Sequence, residues 1–472
     1  MPEDRQYDVI VIGAGSTGEV VAGRASQGGL SAVIVESELA GGECSYWACM
    51  PSKALLRPLH ALADARRVGG ARQAVTGQLD VAAVFERRDK FASHWDDAGQ
   101  VRWLEGVHVD LVRGQGRLAG ERRVEVGTVT GTVGLRARHA VVVATGSAAA
   151  LPPVPGLADA EPWTPRDATS AKEVPARLIV IGGGVAGCEL AQVFAGLGSQ
   201  VALVESAPRL LPVNEPFVGE LLAQAMKSAG IEVHTGVSAR SVSRATGAVT
   251  VDLGEDRLTG DRLLVAAGRR PRTEDIGLET VGLKPGTWLD VDDSMLVRAV
   301  EGGWLYAAGD VNHRALLTHQ GKYQARACGD GIAARAKGEF DPAPWGKHSA
   351  TADHRAVPSV VFTDPEVGSV GLTEAQARDA GLDVRVVDYT IGDVAGASLY
   401  ADDFGGQARL VVDAERRVVV GATFVGPAVG ELVHAATIAV VAEVPLERLW
   451  HAVPSYPTIS EIWLRLLEGY GL

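Results

Sequence analysis

The run Asp8-Val-Ile-Val-Ile-Gly13-Ala-Gly15-Ser-Thr-Gly18 decides the fold of this 472-residue chain. Four consecutive apolar residues, Val9 to Ile12, read as a strand buried on both faces. Three glycines at fixed offsets follow, then helical spacing through Ala22 and Ala25, then a second apolar strand ending at Glu36. The first glycine permits a tight turn, the second lets backbone approach a pyrophosphate, and the third lets helix pack on strand. The phosphates then meet the unpaired N–H groups and the dipole of the helix N-terminus. A lone glycine triad is a weak signal, so its repetition matters.

The repetition is present. The strand Arg177 to Ile181 leads into Gly182-Gly-Gly184-Val-Ala-Gly187, a helix through Ala191 and Ala195, and a strand ending at Glu205. In both copies 23 residues separate the first glycine from the acid. Each copy closes on a similar strand, Ala140-Val-Val-Val-Ala-Thr145-Gly146 in one and Leu263-Leu-Val-Ala-Ala-Gly268 in the other. Between Pro51 and Gly106 the pattern predicts a helical insertion, over Ala61 to Ala71 and Val81 to Leu104. Leu151 to Gly156 and Glu339 to Pro358 read as linkers. The remainder, Val357 to Leu472, reads as an α+β module, with strands near Ser359–Phe362, Val384–Tyr389, Ala408–Asp413 and Val418–Val425 and helices at Ala428–Glu443 and Leu446–Trp450.

The bulk numbers exclude several classes. Formal charge is −13, from 45 basic and 58 acidic residues, with no basic block, which disfavours nucleic-acid binding. No apolar run reaches the length of a membrane span. A polar Met1 to Tyr7 leading straight into the first strand gives the expectation of a cytoplasmic protein. Only four cysteines are present. Cys188 and Cys328 are isolated and read as small buried hydrophobes. Cys44 and Cys49 lie close together in Gly41-Gly42-Glu-Cys44-Ser-Tyr46-Trp47-Ala-Cys49-Met-Pro-Ser-Lys53. No further ligands at zinc-site spacing accompany them, so a redox pair is the stronger reading.

Taken in order, these motifs resemble the flavin-dependent pyridine nucleotide-disulfide oxidoreductases, over nearly the whole chain. The same group's marks continue in Gly268-Arg269-Arg270-Pro271, Tyr306-Ala-Ala-Gly309-Asp310, Phe362-Thr-Asp-Pro-Glu366 and Pro457-Thr-Ile-Ser-Glu461. The resemblance implies an α/β fold with two three-layer Rossmann-like domains and a C-terminal α+β dimerisation domain. It implies an FAD-binding domain over 1–150 and 272–345, an NAD(P)-binding domain over 151–271, and an interface domain over 346–472. Gly13, Gly15, Gly18, Glu36, Gly42, Lys53, Thr145, Gly146, Gly309 and Asp310 would hold FAD. Gly182, Gly184, Gly187, Glu205 and Gly268 would hold the nicotinamide nucleotide. Lys53 would lie by the flavin, paired with Glu189. Cys49 would be the flavin-facing sulfur and Cys44 the outer, interchange sulfur, in a homodimer whose active site is shared between subunits.

Glu205 suits a free ribose 2′-OH and repels a 2′-phosphate, so NADH is expected over NADPH, with Arg209 the one nearby cation. The tail departs from the family. Where disulfide reductases carry a histidine before Pro-Thr-x-Ser-Glu, this chain has Tyr456, with Glu461 retained. His451 in His451-Ala-Val-Pro454 falls five residues early. A phenol titrating near pH 10 is a poor base at neutral pH. The expectation is therefore an NADH-fed reductase of an unidentified acceptor: a small disulfide, a quinone-like compound or a metal ion. Dihydrolipoamide dehydrogenase and a transhydrogenase-like diaphorase are the enzymatic alternatives, and a non-catalytic redox sensor the alternative of another class. Tyr46 and Trp47 either line the entrance to Cys44 or pack beneath the flavin.

Overall fold

The computed structural model describes residues 4–472. The chain divides into two compact units, each assembled from three segments. The first comprises residues up to Pro51, Asp89–Ala150 and Arg269–Asp353; the second comprises Ser52–Arg88, Leu151–Gly268 and His354–Leu472.

The first unit is built on a parallel sheet in the order Val109–Arg113, Ala32–Glu36, Arg5–Ile12, Gly131–Val143 and Leu305–Ala307. Register pairs Ile12 with Val35 on one side and with Val143 on the other. The apolar runs Val9–Ile12, Ala32–Val35, Ala140–Val143 and Leu305–Ala307 are buried, as continuous hydrophobic runs in a sheet covered on both faces must be, while the edge strand Val109–Arg113 is buried only in part. The N-terminal half of Gly131–Val143 pairs antiparallel with Arg123–Thr128, which pairs with Gln115–Leu118. The helices Ser16–Gln27 and Thr318–Lys337 pack together; a side chain at Gly329 would meet the Arg24 side chain and the Val21 carbonyl.

The second unit repeats the parallel design in the order Glu232–Thr235, Gln200–Glu205, Arg177–Ile181 and Arg262–Val265. A three-stranded antiparallel sheet, Ser241–Ala245, Ala248–Asp252 and Arg257–Gly260, shares a core with it through Val242, Val249 and Leu263. The same unit holds a five-stranded antiparallel sheet in the order Ser359–Val361, Glu366–Gly371, Val418–Gly426, Gln407–Asp413 and Val384–Thr390. The helices Val433–Val441 and Ile462–Tyr470 complete its core. The α/β architecture is thus the expected one, and four of the five strands of the C-terminal sheet lie where the alternation placed them. Glu366–Gly371 and the helix Ile462–Tyr470 were not anticipated.

The helical insertion differs from the expectation. Its first part is a continuous helix from Cys49 to Arg66. The second is broken: Val81–Phe91 and Ala98–Gly106 are separated by a turn in which Ser93, His94 and Trp95 all take positive φ. Three successive residues with positive φ break the helical path, which apolar periodicity alone does not reveal. Arg88, on the first of these helices, is fully buried and donates to the carbonyls of Thr169 and Ala171 at 2.7 and 3.0 Å. Cys188 and Cys328 are buried free thiols. Among the described residues, no helix is long and apolar enough to cross a membrane.

Candidate active site

The two glycine modules are superimposable in their bonding, although each belongs to a different unit. Gly13 and Gly182 take φ of 106° and 111°, and a side chain on either would strike a carbonyl at 2.5 Å, that of Ala144 or Ala266. A side chain on Gly18 or Gly187 would strike the carbonyl of Gly13 or Gly182 at 1.9 or 1.8 Å. These are the close helix–strand contacts that only glycine permits. Gly15 and Gly184 differ: each is the N-cap of its helix, without a side-chain cap, and nothing lies within 4 Å of a side chain built there. That open space, faced by uncapped helix N–H groups, is where a pyrophosphate fits.

The acids are held alike. Glu36 accepts from Ala14 N at 2.7 Å and from Glu38 N at 2.8 Å. Glu205 accepts from Gly183 N and from Ala207 N, both at 2.6 Å. Each carboxylate is therefore fixed at its strand end, one oxygen on the glycine loop and the other on the turn that follows. Such a carboxylate retains lone pairs for a ribose diol. Arg209 keeps its Nε buried without a partner.

Around the first module, Gly42 packs so closely on Gly15 that a side chain would approach its Cα to 2.7 Å. Gly309 likewise faces Thr17. Gly146 has positive φ with open space before it, and the neighbouring Thr145 Oγ1 is buried without a partner. Asp310 accepts from Ser147 Oγ at 2.5 Å. The chemistry of this set fits an FAD: a carboxylate with free lone pairs, uncapped helix N–H groups and the carboxylate of Asp310. In the second unit Gly268 takes φ of 138°.

Cys44 lies in the short helix Gly42–Tyr46, and Cys49 opens the helix Cys49–Arg66. Both are free thiols in this structure. Cys49 Sγ lies 3.2 Å from Thr318 Oγ1. The Cys44 thiol is held well above the usual range, first by its hydrogen bond to Cys49 and then by burial, with Thr318 and Lys322 opposing. Tyr46 is buried, its hydroxyl on the Ala40 carbonyl at 2.8 Å, and Trp47 meets it edge to face at 5.6 Å. Tyr46 is thus a packing residue.

In the second unit, Lys53 Nζ donates to Glu189 Oε2 at 2.6 Å and lies over the Phe362 ring at 5.0 Å. Glu189 Oε1 accepts from Phe362 N at 2.9 Å. One turn on, Gln192 pairs with Asp364 backbone through both amide atoms, at 2.7 and 2.8 Å. The Phe362–Glu366 run is thereby docked on the helix Val185–Gly196. Tyr456 is 77% exposed, and among the described residues its hydroxyl has no partner. Glu461 is buried; one oxygen accepts from Arg465 at 2.6 Å and the other has no partner. His451 is exposed just after the helix Leu446–Leu449.

Sequence reasoning missed Glu19, Glu43, Ser147, Arg269, Arg272 and Thr318 as site residues. Glu43 and Glu19 could have been noticed, since one interrupts the cysteine run and the other follows the third glycine inside a buried helix face. Glu19 is 8% exposed, its Oε1 lacks a partner, and burial raises its pKa to about 8.

The family model for pyridine nucleotide-disulphide oxidoreductases matches residues 7–325, and that for the dimerisation domain of the same group matches 357–466. Dihydrolipoyl dehydrogenase of Thermus scotoductus is 33% identical, covering 98% of this chain and 97% of its own. Mercuric reductase of Staphylococcus aureus is 30% identical, covering 97% of this chain and 81% of its own. The solved structure of a HOCl-induced flavoprotein disulfide reductase from Escherichia coli superposes with a TM-score of 0.82 at 24% identity, over 98% of this chain and 99% of that one, which shows a shared fold.

Proposed function

The chain belongs to the pyridine nucleotide-disulphide oxidoreductases, and from that premise we propose that it exchanges electrons between NAD(H) and a small dithiol–disulfide substrate of the dihydrolipoyl kind. FAD-dependent NAD(P)H:disulfide oxidoreduction is the activity of the family. The dihydrolipoyl dehydrogenases among its relatives favour a dithiol substrate over the unspecified acceptor expected from the tail alone. The observation that carries the reading is the Cys44–Cys49 contact, with Thr318 beside the inner sulfur.

The sulfur chemistry follows from the positions of the two thiols. With Cys44 and Cys49 oxidised, a substrate thiolate attacks Cys44, the Cys44–Cys49 bond breaks, and Cys49 leaves as thiolate. The second substrate thiolate then attacks the substrate sulfur bound to Cys44. The substrate departs as a disulfide and Cys44 takes a proton, which its raised pKa retains. Two electrons now reside on the pair. Bound FAD supplies the two-electron relay between these sulfurs and the nicotinamide. Thr318 orients the Cys49 sulfur, and Lys53, held by Glu189, supplies a fixed positive charge.

Glu205 supports NADH as the partner nucleotide, because its lone pairs suit a 2′-OH and its charge repels a 2′-phosphate. We assign 1–150 and 272–345 to FAD, 151–271 to the nicotinamide nucleotide and 346–472 to dimerisation. Val453 and Tyr456, 85% and 77% exposed beside Trp450, support a homodimer in which Tyr456 and Glu461 complete the partner's site. A count of only four cysteines in 472 residues supports a reducing, cytoplasmic setting.

A second reading rests on Tyr456. A phenol in the proton-shuttling position serves reduction of an acceptor by NADH better than dithiol oxidation. One experiment separates the two: turnover with dihydrolipoamide plus NAD⁺ against turnover with NADH plus lipoamide, quinones or metal ions, in wild type and Cys44→Ser. Dithiol turnover lost in Cys44→Ser supports the first reading. NADH-driven quinone reduction as the main activity, unaffected by Cys44→Ser, overturns it.

A further inference from the structure

Glu43, the residue before Cys44, is gripped by two guanidinium groups. Arg269 Nη2 donates to Glu43 Oε2 at 2.9 Å, and Arg272 Nη2 donates to Glu43 Oε1 at 2.7 Å. Arg269 Nε also donates to Ser147 Oγ at 2.5 Å, and Ser147 Oγ donates to Asp310 Oδ2 at 2.5 Å. Both arginines reach the Ser147 carbonyl, at 2.8 and 3.2 Å. Asp310 Oδ2 lies 3.6 Å from Arg269 Nε. Two carboxylates and two guanidiniums thus close a charge-balanced chain, Glu43–Arg269–Ser147–Asp310 with Arg272 alongside.

The chain's other ends give it meaning. Arg269 and Ser147 belong to paired strands, Arg269–Pro271 and Ser147–Ala149, a rigid antiparallel corner. Asp310 is the carboxylate at the cofactor cradle. Other polar contacts of the cysteine segment run elsewhere: Ser45 Oγ donates to the Gly41 carbonyl and Tyr46 Oη to the Ala40 carbonyl, Gly41 N donates to the Ala14 carbonyl at 2.7 Å, and Cys49 Sγ lies 3.2 Å from Thr318 Oγ1. Those bonds shape the segment without fixing it to the strands. Glu43 makes that connection, with charge-assisted bonds whose fork geometry sets direction as well as distance.

We propose that Glu43 is a positioning residue for the redox pair, which locks the Cys44 segment in register with the Asp310 corner and so sets the distance of the sulfurs from the cofactor. This rests on the reading of Cys44 and Cys49 as the exchanging pair. Thiol–disulfide exchange and electron transfer both depend steeply on such placement; a displacement of about 1 Å costs on the order of 100-fold in rate.

The test uses the FAD-loaded enzyme and its Glu43→Gln variant, which keeps the side-chain length and removes the charge. Three quantities are read: FAD content, the rate of flavin bleaching by NADH, and the long-wavelength thiolate-to-flavin absorbance after addition of two electrons. The expected result is FAD content and bleaching within about twofold of wild type, the absorbance at least halved, and disulfide turnover lower by about 10- to 100-fold. An unchanged absorbance with unchanged turnover overturns the proposal. Loss of FAD in step with the absorbance also overturns it, since Glu43 would then serve the cofactor. Absence of the absorbance in wild type itself is a different failure, that of the cysteine reading. If Glu43→Gln does not fold, Arg272→Gln carries the same test: it leaves Arg269 on Glu43, and a smaller loss of absorbance is expected, with no loss again overturning the proposal.

Discussion

Glu189 holds Lys53 with one oxygen, at 2.6 Å, and the backbone of Phe362 with the other, at 2.9 Å. One buried carboxylate therefore orients a cation and docks a loop 173 residues away in sequence. Glu189 is nearly fully buried, while Lys53 stays about one-third exposed.

Removing either partner is expected to separate these roles. Lys53→Met leaves the Glu189 carboxylate buried with a single donor, and stability should fall by about 1–3 kcal/mol, the exposed half of the pair being discounted. Glu189→Leu strands the Phe362 N–H as well. Both variants should also slow flavin reduction by NADH. Chemical denaturation and stopped-flow absorbance check this; a Lys53→Met enzyme with wild-type stability and reduction rate would refute the assignment.

Glu205→Gln should shift nucleotide preference. The amide cannot accept from both Gly183 N and Ala207 N, and it no longer repels a 2′-phosphate. The NADPH to NADH ratio of kcat/KM is expected to rise about 10-fold or more, the worth of one charge-assisted hydrogen bond. Initial-rate kinetics with both nucleotides give the answer.

Tyr456→His should increase dihydrolipoamide oxidation. The Cys44 proton is held tightly by Cys49 and by burial, so dithiol chemistry needs a base that works near neutrality. An imidazole at this exposed position should raise turnover by about 10-fold or more and bring the pH–rate profile toward pH 7. An unchanged profile would mean that protons leave by another route.

Glu19 gives a prediction about pH and stability. Its folded pKa of about 8 exceeds the unfolded value of 4.5, because burial disfavours the charged form more than Lys322 favours it, with Glu36 adding to the rise. The folded state binds the extra proton between those values, so stability is full below about pH 4.5 and declines as pH rises toward 8. Glu19→Gln should remove this decline, on the order of a few kcal/mol at most. Thermal melts of both proteins at pH 5.5 and pH 8.5 should show a smaller pH difference in the variant; equal differences would place Glu19's charge elsewhere.

Much of this molecule is legible in the chain. Gly13, Gly15, Gly18 and Glu36, and their counterparts Gly182, Gly184, Gly187 and Glu205, lie within single strand–turn–helix–strand units, so local geometry alone fixes their bonding. The helix break at Ser93, His94 and Trp95 escaped notice because no glycine or proline announces it.

The sequence by itself determined two glycine-rich strand–turn–helix modules, a thiol pair at a helix start, and a tail with Tyr456 before Pro-Thr-x-Ser-Glu. Those features depend on residues a few positions apart, or on a short run whose backbone is set by its own glycines. Only the tertiary structure decided that Glu43 answers to Arg269, 226 residues away, and Glu189 to Phe362. Such pairs exist because strand order brings distant parts of the chain together, and a carboxylate withdrawn wholly (Glu189) or partly (Glu43) from water finds its donors wherever the topology supplies them.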